Sequence, residues 1–291
     1  MSIKHPIISV TGSSGAGTST VKHTFERIFR REGVDAALIG GDAFHRFNRA
    51  DMDAAQAAAE AAGNLHFSHF GPEANLFEDL ERTFRVYSES GTGRMRHYVH
   101  TEEEAKELGA PEGHFTEWED IPENSDLMLY EGLHGALVTQ NVNVARYADL
   151  KIGVVPVINL EWIQKIHRDK ATRGYTTEAV TDTILRRMRD YVTYICPQFT
   201  STDINFQRVP TVDTSNPFVA RWIPTLDESL VVIRFKNPRG IDFPYLISMI
   251  HDSFMSRANS IVVPGNKLDL AMQLILTPHI IRLVERKKRA A

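Results

Sequence analysis

A glycine-rich segment near the start of the chain has the residue types and spacing of a phosphate-binding loop. It follows the short apolar run Ile7–Val10, and the residues from about Thr20 to Arg31 predict a helix directly after it. In that context, backbone N–H groups and a helix N-terminus cradle phosphate groups, and a loop serine binds Mg²⁺. The pattern therefore predicts a phosphate site with Ser19 as magnesium ligand, formed by Gly12, Ser13, Ser14, Gly15, Ala16, Gly17, Thr18, Ser19 and Thr20.

A basic stretch downstream could supply a positive charge that this loop lacks. Thr18 stands where a lysine normally reaches the β- and γ-phosphates. Arg168 and Asp169 follow Lys165 at spacings of three and four residues. Arg173 follows Asp169 at a spacing of four, so on one helix these residues form a polar stripe. The stripe fits a solvated, salt-bridged helix face, and it also fits a phosphate-binding lid.

Two carboxylates are expected near the loop, because each ends an apolar strand. Asp42 follows the run Ala36–Ile39, where it could accept a proton from an attacking hydroxyl or, alternatively, cap a helix. Glu131 follows the run Leu127–Tyr130, where P-loop enzymes place the carboxylate that orients Mg²⁺. A structural carboxylate is the alternative interpretation of Glu131.

Basic residues cluster at two further places. If the segment after Asp42 is helical, His45 and Arg49 share one face and form a cationic patch beside the candidate base. A second cluster, which fits an anion or another subunit equally well, comprises Arg94, Arg96, His97 and His100.

Two patterns typical of other functions carry less weight. Asn266–Asp269 has the form of the guanine-reading sequence of GTPases, but the chain lacks the loop lysine and the switch sequence that accompany it. Histidines spaced by three, as in some metal sites, occur at His66/His69 and His97/His100. Without nearby cysteines or a His-Glu-x-x-His pattern, these pairs favour structural or substrate-contact roles.

The composition excludes several classes of protein. The chain has 291 residues, of which 42% are hydrophobic, and a formal net charge of −4 at pH 7. General nucleic-acid binders usually carry a basic balance, and no run approaches the roughly 18 apolar residues of a membrane span. Cys196 is the single cysteine, so no disulfide forms within the chain. We expect a cytoplasmic protein that binds neither nucleic acid nor membranes.

The order of elements predicts an α/β fold. Strands and helices alternate in the first part of the chain, which indicates a parallel sheet with helices on both faces. Later strands are predicted at Leu230–Phe235 and Ser260–Val263. A last helix is predicted to begin near Lys267, and Pro278 is expected to interrupt it. We predict one α/β domain over residues 1–291, with a mixed, mostly parallel sheet covered by helices on both faces and a lid near residues 165–190.

Together these motifs closely resemble the phosphoribulokinases of bacterial type, which are P-loop kinases related to uridine and pantothenate kinases. The resemblance extends over essentially the whole chain. The segments that carry it are Gly12–Thr20, Gly41–Arg49, Tyr130–Gly135, Ile166–Gly174, Asp203–Pro210 and Asp213–Phe218. Chloroplast members carry a regulatory cysteine where this chain has Ala16, so thiol control is not expected.

The resemblance implies that ATP, with Mg²⁺, phosphorylates ribulose 5-phosphate to ribulose 1,5-bisphosphate in the Calvin cycle. It implies that the loop amides hold the ATP phosphates, that Asp42 is the general base, and that Ser19 and Glu131 bind Mg²⁺. The residues implied to hold the sugar phosphate are His45, Arg49, His100, Arg168 and Arg173. We further hypothesise that Lys165 replaces the missing loop lysine, and that Asp169 is a second magnesium ligand or a residue that orients Arg173.

The resemblance also implies assembly and regulation. Bacterial members form homo-octamers that NADH activates and AMP inhibits, and Arg234 and Arg257 are candidate contacts for such effectors. Two other functions stay open. A uridine kinase-like or pantothenate kinase-like enzyme explains the loop and lid equally well, but an uncharged nucleoside does not call for the basic residues after Asp42. A GTP-dependent switch protein, suggested by Asn266–Asp269, belongs to a different class.

Overall fold

The structure is a computed structural model that describes residues 4–13 and 18–290, without the side chains of residues 18–20, 172 and 173. The strands within those ranges are β1 (Ile7–Thr11), β2 (Ala36–Gly40), β3 (Arg94–Met95), β4 (Glu119–Asp120), β5 (Leu127–Gly132), β6 (Leu150–Val155), β7 (Ile204–Pro210), β8 (Ser229–Phe235), β9 (Phe254–Arg257) and β10 (Ser260–Pro264). The helices are α1 (Thr18–Glu32), α2 (Arg49–Ala61), α3 (Phe77–Ser90), α4 (Glu102–Leu108), α5 (Ile158–Arg173), α6 (Thr177–Asp190), α7 (Phe243–Met249) and α8 (Leu268–Ala290).

Eight strands form one sheet in the order β2–β5–β1–β6–β7–β8–β10–β9. The first five run parallel, and the pairings from β7 to β9 are antiparallel. β3 and β4 pair separately, within the long excursion between α3 and β5. The prediction of a mixed, mostly parallel sheet is therefore confirmed.

Alternating residues of the central strands face two cores, one on each side of the sheet. Leu127 and Leu129 of β5 pack in the core covered by α1 and α8, together with Phe25 of α1. Met128 and Tyr130 pack in the opposite core with α3. Successive side chains of a strand point to opposite faces, so a strand buried on both sides reads as a continuous apolar run. This is why the central strands were recognisable from the sequence.

The β-rich second half agrees in part with the sequence-based expectation. The strands predicted at Leu230–Phe235 and Ser260–Val263 are confirmed as β8 and β10. β7 was not predicted, because Asn205, Gln207 and Arg208 interrupt its apolar pattern. Among the helices of the described ranges, none is both long enough and apolar enough to cross a membrane.

The prediction that Pro278 interrupts the last helix is wrong. α8 continues through Pro278 to Ala290. Proline removes one backbone hydrogen bond and costs about 3 kcal/mol in a helix interior. The buried face of α8, which includes Met272, Leu276 and Ile280, spans both sides of the proline and packs against the sheet. Burial of that face outweighs the local cost.

Replacing Pro278 should therefore stabilise the protein. Pro278 is exposed, so Pro278→Ala restores a backbone donor without opening a cavity, and we expect the free energy of unfolding to rise by about 1–3 kcal/mol. Urea denaturation measures the change, with the exposed helix variant Arg282→Ala as the control that changes little. Equal or lower stability of Pro278→Ala would show that the ring itself contributes to packing.

Candidate active site

Asp42 and Glu131 lie at one edge of the sheet because two glycines allow a close backbone approach. Gly40 of β2 is in register with Glu131 of β5, and a 3₁₀ turn that contains Asp42 follows β2. A Cβ built at Gly41 would lie 2.7 Å from the Cα of Gly132. Real Cβ atoms do not approach backbone so closely, so any larger residue would push the turn away from the strand. The predicted base and the predicted metal ligand thus share this edge.

The phosphate loop starts at the same edge. Thr11 of β1 is in register with Gly132 of β5, and the Gly12 N–H donates to the Gly132 carbonyl at 3.2 Å. α1 begins at Thr18, directly after the loop. Residues Ser14, Gly15, Ala16 and Gly17 and the side chains of Thr18, Ser19 and Thr20 lie outside the described part of the chain, so their contacts with phosphates and Mg²⁺ stay predictions.

His45 is doubly protonated, as its partners require. The Asn75 amide donates from Nδ2 to the carbonyls of His69 and Gly71, at 2.8 and 2.7 Å. Its Oδ1 therefore faces Nδ1 of His45, at 2.9 Å, while Nε2 of His45 lies 3.1 Å from Oδ1 of Asp42. Both partners are acceptors, so both ring nitrogens donate. Burial lowers the pKa of His45, but the hydrogen bond and the charge of Asp42, together with the hydrogen bond to Asn75, outweigh burial and raise the pKa.

Asp42 is held ionised between two histidines. Nε2 of His100 lies 3.3 Å from its second oxygen, Oδ2. Burial raises the pKa of Asp42, but the hydrogen bonds of His100 and His45 outweigh that effect and hold the pKa well below its usual range. The side chain is still 43% exposed. A deprotonated carboxylate open to solvent can accept a proton from an incoming hydroxyl.

Removing one of these histidines should change the pH dependence of activity. In His100→Gln the pKa of Asp42 rises, since the positive charge of the histidine is lost. Asp42 therefore becomes protonated at higher pH, and the acid limb of kcat/KM for the acceptor moves to higher pH. The pH profile of initial rates measures the shift. His97→Gln is the control, because His97 pairs with Glu119 at 3.3 Å instead; acid limbs that coincide in wild type and His100→Gln would contradict the assignment.

The expectation that His45 and Arg49 share a helix face is wrong. The chain is extended at His45, and α2 starts only at Arg49. Asn48 caps α2 by accepting from the Asp51 N–H at 2.9 Å, which places the helix start there. Arg49 instead pairs with Glu112 at 2.6 Å and is exposed. Its contact with the sugar phosphate stays a prediction.

The four basic residues predicted as one cluster do not form a common anion site. Their partners are Asp42 for His100, Glu119 for His97, the Trp118 carbonyl for Arg94 and two main-chain carbonyls next to Asp42 for Arg96. β3 and the residues after it are extended, so successive side chains point in different directions. The four positively charged side chains therefore have separate partners, although their spacing in the sequence suggests a single patch.

Two members of the polar stripe on α5 are buried. Nζ of Lys165 lies 2.5 Å from Oδ2 of Asp169, and the two side chains are 6% and 2% exposed. Nε of Arg168 lies 3.0 Å from the other oxygen, Oδ1. Burial raises the pKa of Asp169, but Lys165 outweighs it and the pKa is lowered. A solvated face does not describe this pair. The side chain of Arg173 is not among those described, so its substrate contact stays a prediction.

A further buried carboxylate, Glu161, joins α5 to α6 and to the phosphate loop. It accepts from the Tyr191 hydroxyl at 3.0 Å, and it lies 3.7 Å from Nη2 of Arg187. The Ser13 hydroxyl lies beside it. Burial raises the pKa of Glu161, while Arg187 and Ser13 lower it. Nothing in the sequence marks Glu161, because glutamate is ordinary in the first turn of a helix.

His69 and Phe70 lie between the residues around Asp42 and the helix α6: His69 contacts His45, and Phe70 contacts Arg187. The His69 ring lies edge-on to that of His45, with centroids 5.5 Å apart, and the Arg187 guanidinium lies over the Phe70 ring at 4.7 Å. Desolvation by the surrounding protein, followed by the charge of His45, lowers the pKa of His69 to about 4. His69 is therefore neutral near pH 7, and the positive charges of His45 and Lys165 both contribute to its lowered pKa.

The oxygen donors at this edge fit a magnesium ion that arrives with a nucleotide. Mg²⁺ is usually bound by one or two carboxylates together with phosphate oxygens and water. Glu131 is half-buried at the strand edge, whereas both oxygens of Asp169 are engaged by cations. Within residues 4–13 and 18–290, no group of three or more acidic, histidine or cysteine side chains has an arrangement that could hold a metal ion by itself. The arrangement suits Glu131 with the predicted ligand Ser19, and no protein cage is needed.

The GTPase-like sequence has other partners. Nδ2 of Asn266 donates to Asp227 at 2.7 Å. Asp269, in the first turn of α8, accepts from the Thr24 hydroxyl at 2.7 Å and pairs with Arg27, both on α1. These contacts hold α8 against α1, so the sequence serves helix packing and does not favour guanine recognition.

Both the sequence and the fold of this chain are similar to those of known proteins. The profile of the phosphoribulokinase / uridine kinase family matches residues 7–215. A phosphoribulokinase from Nitrobacter vulgaris is 72% identical over 287 residues, with 99% of each chain covered. Phosphoribulokinase 1 from Cereibacter sphaeroides is 72% identical over 290 residues, with 100% of each chain covered. The solved phosphoribulokinase from Rhodobacter spheroides has a TM-score of 0.91 and 70% identity, with 99% of this chain and 100% of that chain covered.

Proposed function

This chain belongs to the phosphoribulokinase / uridine kinase family, and on that premise we propose that it transfers the γ-phosphoryl group of ATP to the primary hydroxyl of ribulose 5-phosphate. The product is ribulose 1,5-bisphosphate, which accepts carbon dioxide in the Calvin cycle. The observation that carries the proposal is the ionised Asp42 between His45 and His100, beside the phosphate loop. A doubly protonated histidine at this place suits an anionic acceptor and has no role for an uncharged nucleoside.

The acceptor's phosphate is the ligand for the basic residues around Asp42. Charge-assisted hydrogen bonds to phosphate are short and strong, and they fix the sugar in one orientation. We assign this contact to Arg49, His100, Arg168 and Arg173, and we assign to His45 a contribution through its positive charge, because both of its ring N–H groups already donate to Asn75 and Asp42. The exposed position of Arg49 and the partial exposure of Arg168 support it, because both side chains can turn to an incoming ligand.

Asp42 acts on the hydroxyl of the bound sugar. As the hydroxyl oxygen attacks the γ-phosphorus, its proton passes to the Asp42 carboxylate. His45 and His100 keep the carboxylate deprotonated beforehand and restrict its rotation. The attacking oxygen then lies in line with the phosphoryl group that the loop holds.

Lys165 provides the cation that the loop lacks at Thr18. Its ammonium group is buried beside Asp169, which fixes its position, and Asp169 in turn orients Arg168. Glu131 and Ser19 would hold Mg²⁺, which would supply positive charge to neutralise the ATP phosphates. α5 and α6, which pack on each other through Ile166, Val180 and Ile184, are the lid near residues 165–190.

ADP release by the purified protein tests this function. The assay contains Mg-ATP with ribulose 5-phosphate, and parallel reactions contain uridine, pantothenate or no acceptor. We expect acceptor-dependent release only with ribulose 5-phosphate. Turnover with another acceptor would contradict the sugar site, and GTP-dependent turnover in place of ATP would contradict the nucleotide assignment.

Assembly and regulation complete the proposal. We assign a homo-octamer in the cytoplasm, with NADH as activator and AMP as inhibitor, on the resemblance to bacterial phosphoribulokinases. Arg234 and Arg257 both lie in register with Ser260, on the two strands that flank β10, and this proximity supports a shared effector site. Sedimentation gives the oligomeric state, and ADP release with added NADH or AMP gives the regulation.

A further inference from the structure

One guanidinium holds half of the main-chain carbonyls in the turn that carries the candidate base. We call residues 42–45 the acceptor turn. The carbonyls of Asp42 and Phe44 accept from backbone N–H groups, at 3.1 and 2.8 Å. The carbonyls of Ala43 and His45 accept from Nε and Nη2 of Arg96, both at 2.7 Å. The position of the main chain at Ala43 and at His45, on the two sides of Phe44, therefore depends on Arg96.

Aromatic rings fix Arg96 itself. Its guanidinium lies over the ring of Phe115, 3.7 Å from the centroid, and 4.8 Å from that of Trp118. The Trp118 ring also contacts Phe44, with centroids 6.1 Å apart. No carboxylate pairs with Arg96 in the described part of the chain. Its five donors thus serve geometry and not charge neutralisation, as the planar fork of arginine allows.

We propose that Arg96 is a positioning residue for the phosphoryl acceptor, acting through the acceptor turn. It ties the segment of residues 93–121 to the turn, and the same segment supplies His100 to Asp42. Loss of Arg96 frees two carbonyls and lets Asp42 and His45 shift relative to the bound sugar. A misplacement of about 1 Å at a reacting group costs on the order of 100-fold in rate. This inference rests on the proposed function, because it concerns the same acceptor site.

The test compares Arg96→Ala with Arg94→Ala. Arg94 lies two residues away on the same segment, but it is exposed and donates to the Trp118 carbonyl at 2.6 Å. For Arg96→Ala we expect kcat to fall about 10- to 100-fold and the KM for ribulose 5-phosphate to rise. The KM for ATP should stay within about twofold of wild type, because the phosphate loop is untouched. Arg94→Ala should resemble wild type in all three constants.

Chemical rescue separates positioning from folding. Arg96→Ala leaves a slot between Phe115 and Trp118 that accommodates methylguanidinium, so the added ion should restore part of kcat. It should not stimulate wild type or Asp42→Asn. In Arg96→Lys, one ammonium cannot satisfy both carbonyls in a fixed plane, and we expect an intermediate kcat.

Three outcomes would overturn the proposal. They are wild-type constants in Arg96→Ala, an equal rise of KM for both substrates, and a loss of kcat that follows a lower melting temperature and resists methylguanidinium. If Arg96→Ala does not fold, the constants of Arg96→Lys decide by the same criteria. A wild-type protein without ribulose 5-phosphate-dependent ADP release would instead refute the proposed function, so the two failures are distinguishable.

Discussion

Asp42→Asn should lower kcat by about 10³- to 10⁴-fold while both substrates bind almost normally. Asparagine has nearly the same shape: its Oδ1 can accept from His45, and its Nδ2 can donate to Nε2 of His100 once that ring is neutral, so the acceptor turn keeps its geometry. It cannot take the hydroxyl proton at neutral pH, and general base catalysis contributes about 10²- to 10⁴-fold in typical enzymes. Steady-state ADP release with saturating substrates measures kcat, and equilibrium binding of ATP measures the nucleotide site.

The matched control for this variant is Asp53→Asn. Asp53 is exposed on α2 and has no contact with the acceptor turn. Asp53→Asn removes the same negative charge from the same region of the chain as Asp42→Asn, so a general electrostatic effect would appear in both variants. Near-wild-type turnover of Asp42→Asn would remove Asp42 from the role of base, and the two histidines would then have to be explained as structural.

Lys165→Met should lower kcat by about 10²- to 10³-fold, the usual cost of losing one charge that stabilises the transferred group. Methionine keeps the apolar stem, so the effect reports the ammonium group. Burial and the charge of Arg187 lower the pKa of Lys165 to about 8. The cation is therefore lost as the pH rises through about 8, and the wild-type kcat/KM should fall there. This alkaline limb should be absent in Lys165→Met.

Two comparisons separate catalysis from folding at this position. Breaking a buried ion pair costs about 3–5 kcal/mol, because Asp169 is left buried with less compensation. The double variant Lys165→Met/Asp169→Asn also removes the buried charge of Asp169. Compared with Lys165→Met alone, it should recover stability but not turnover. Lys170→Met, at an exposed position on the same helix, should change neither. Recovery of turnover together with stability would contradict a direct role for Lys165.

The replacement of the loop lysine by Lys165 has its own test. Thr18→Lys in the Lys165→Met background returns a cation to the loop position that usually carries it. Higher turnover than Lys165→Met alone would support the substitution of one lysine for the other. A saturation defect of Lys165→Met confined to ribulose 5-phosphate would count against it, because the defect would then lie in the acceptor site.

The arrangement of charges around Asp42 was the part of the site that sequence reasoning described least well. The prediction that His45 and Arg49 share a helix face assumed a continuous helix. His45 is extended, and α2 begins only after the cap residue Asn48. Arg96 looked like part of an anion patch, yet it donates to two carbonyls more than fifty residues away. Contacts at such separations depend on how the excursion folds back, and no local pattern encodes that.

Local pattern did determine the elements at the edge of the sheet. The apolar runs before the phosphate loop, before Asp42 and before Glu131 each form a parallel strand. The first and the last of these are continuously apolar because both of their faces are buried, whereas the run before Asp42 forms the outermost strand, which is buried on one face only. Parallel strands present their carboxyl ends at one edge, so placing these residues together needed no tertiary information. The glycines at 41 and 132 could be read as turn residues, and their close approach became evident only from the packing.

The α/β fold, the loop after the first strand and the identity of the residues at the strand ends thus follow from local sequence patterns. Which charges are buried, which are paired and which stay exposed depends on how the chain packs. Burial of Lys165 with Asp169, the double protonation of His45 and the hold of Arg96 on the acceptor turn all belong to that second group. The physical reason is that charge and hydrogen-bond energies depend on the distance between groups and their exposure to water, and folding sets both across segments far apart in the chain.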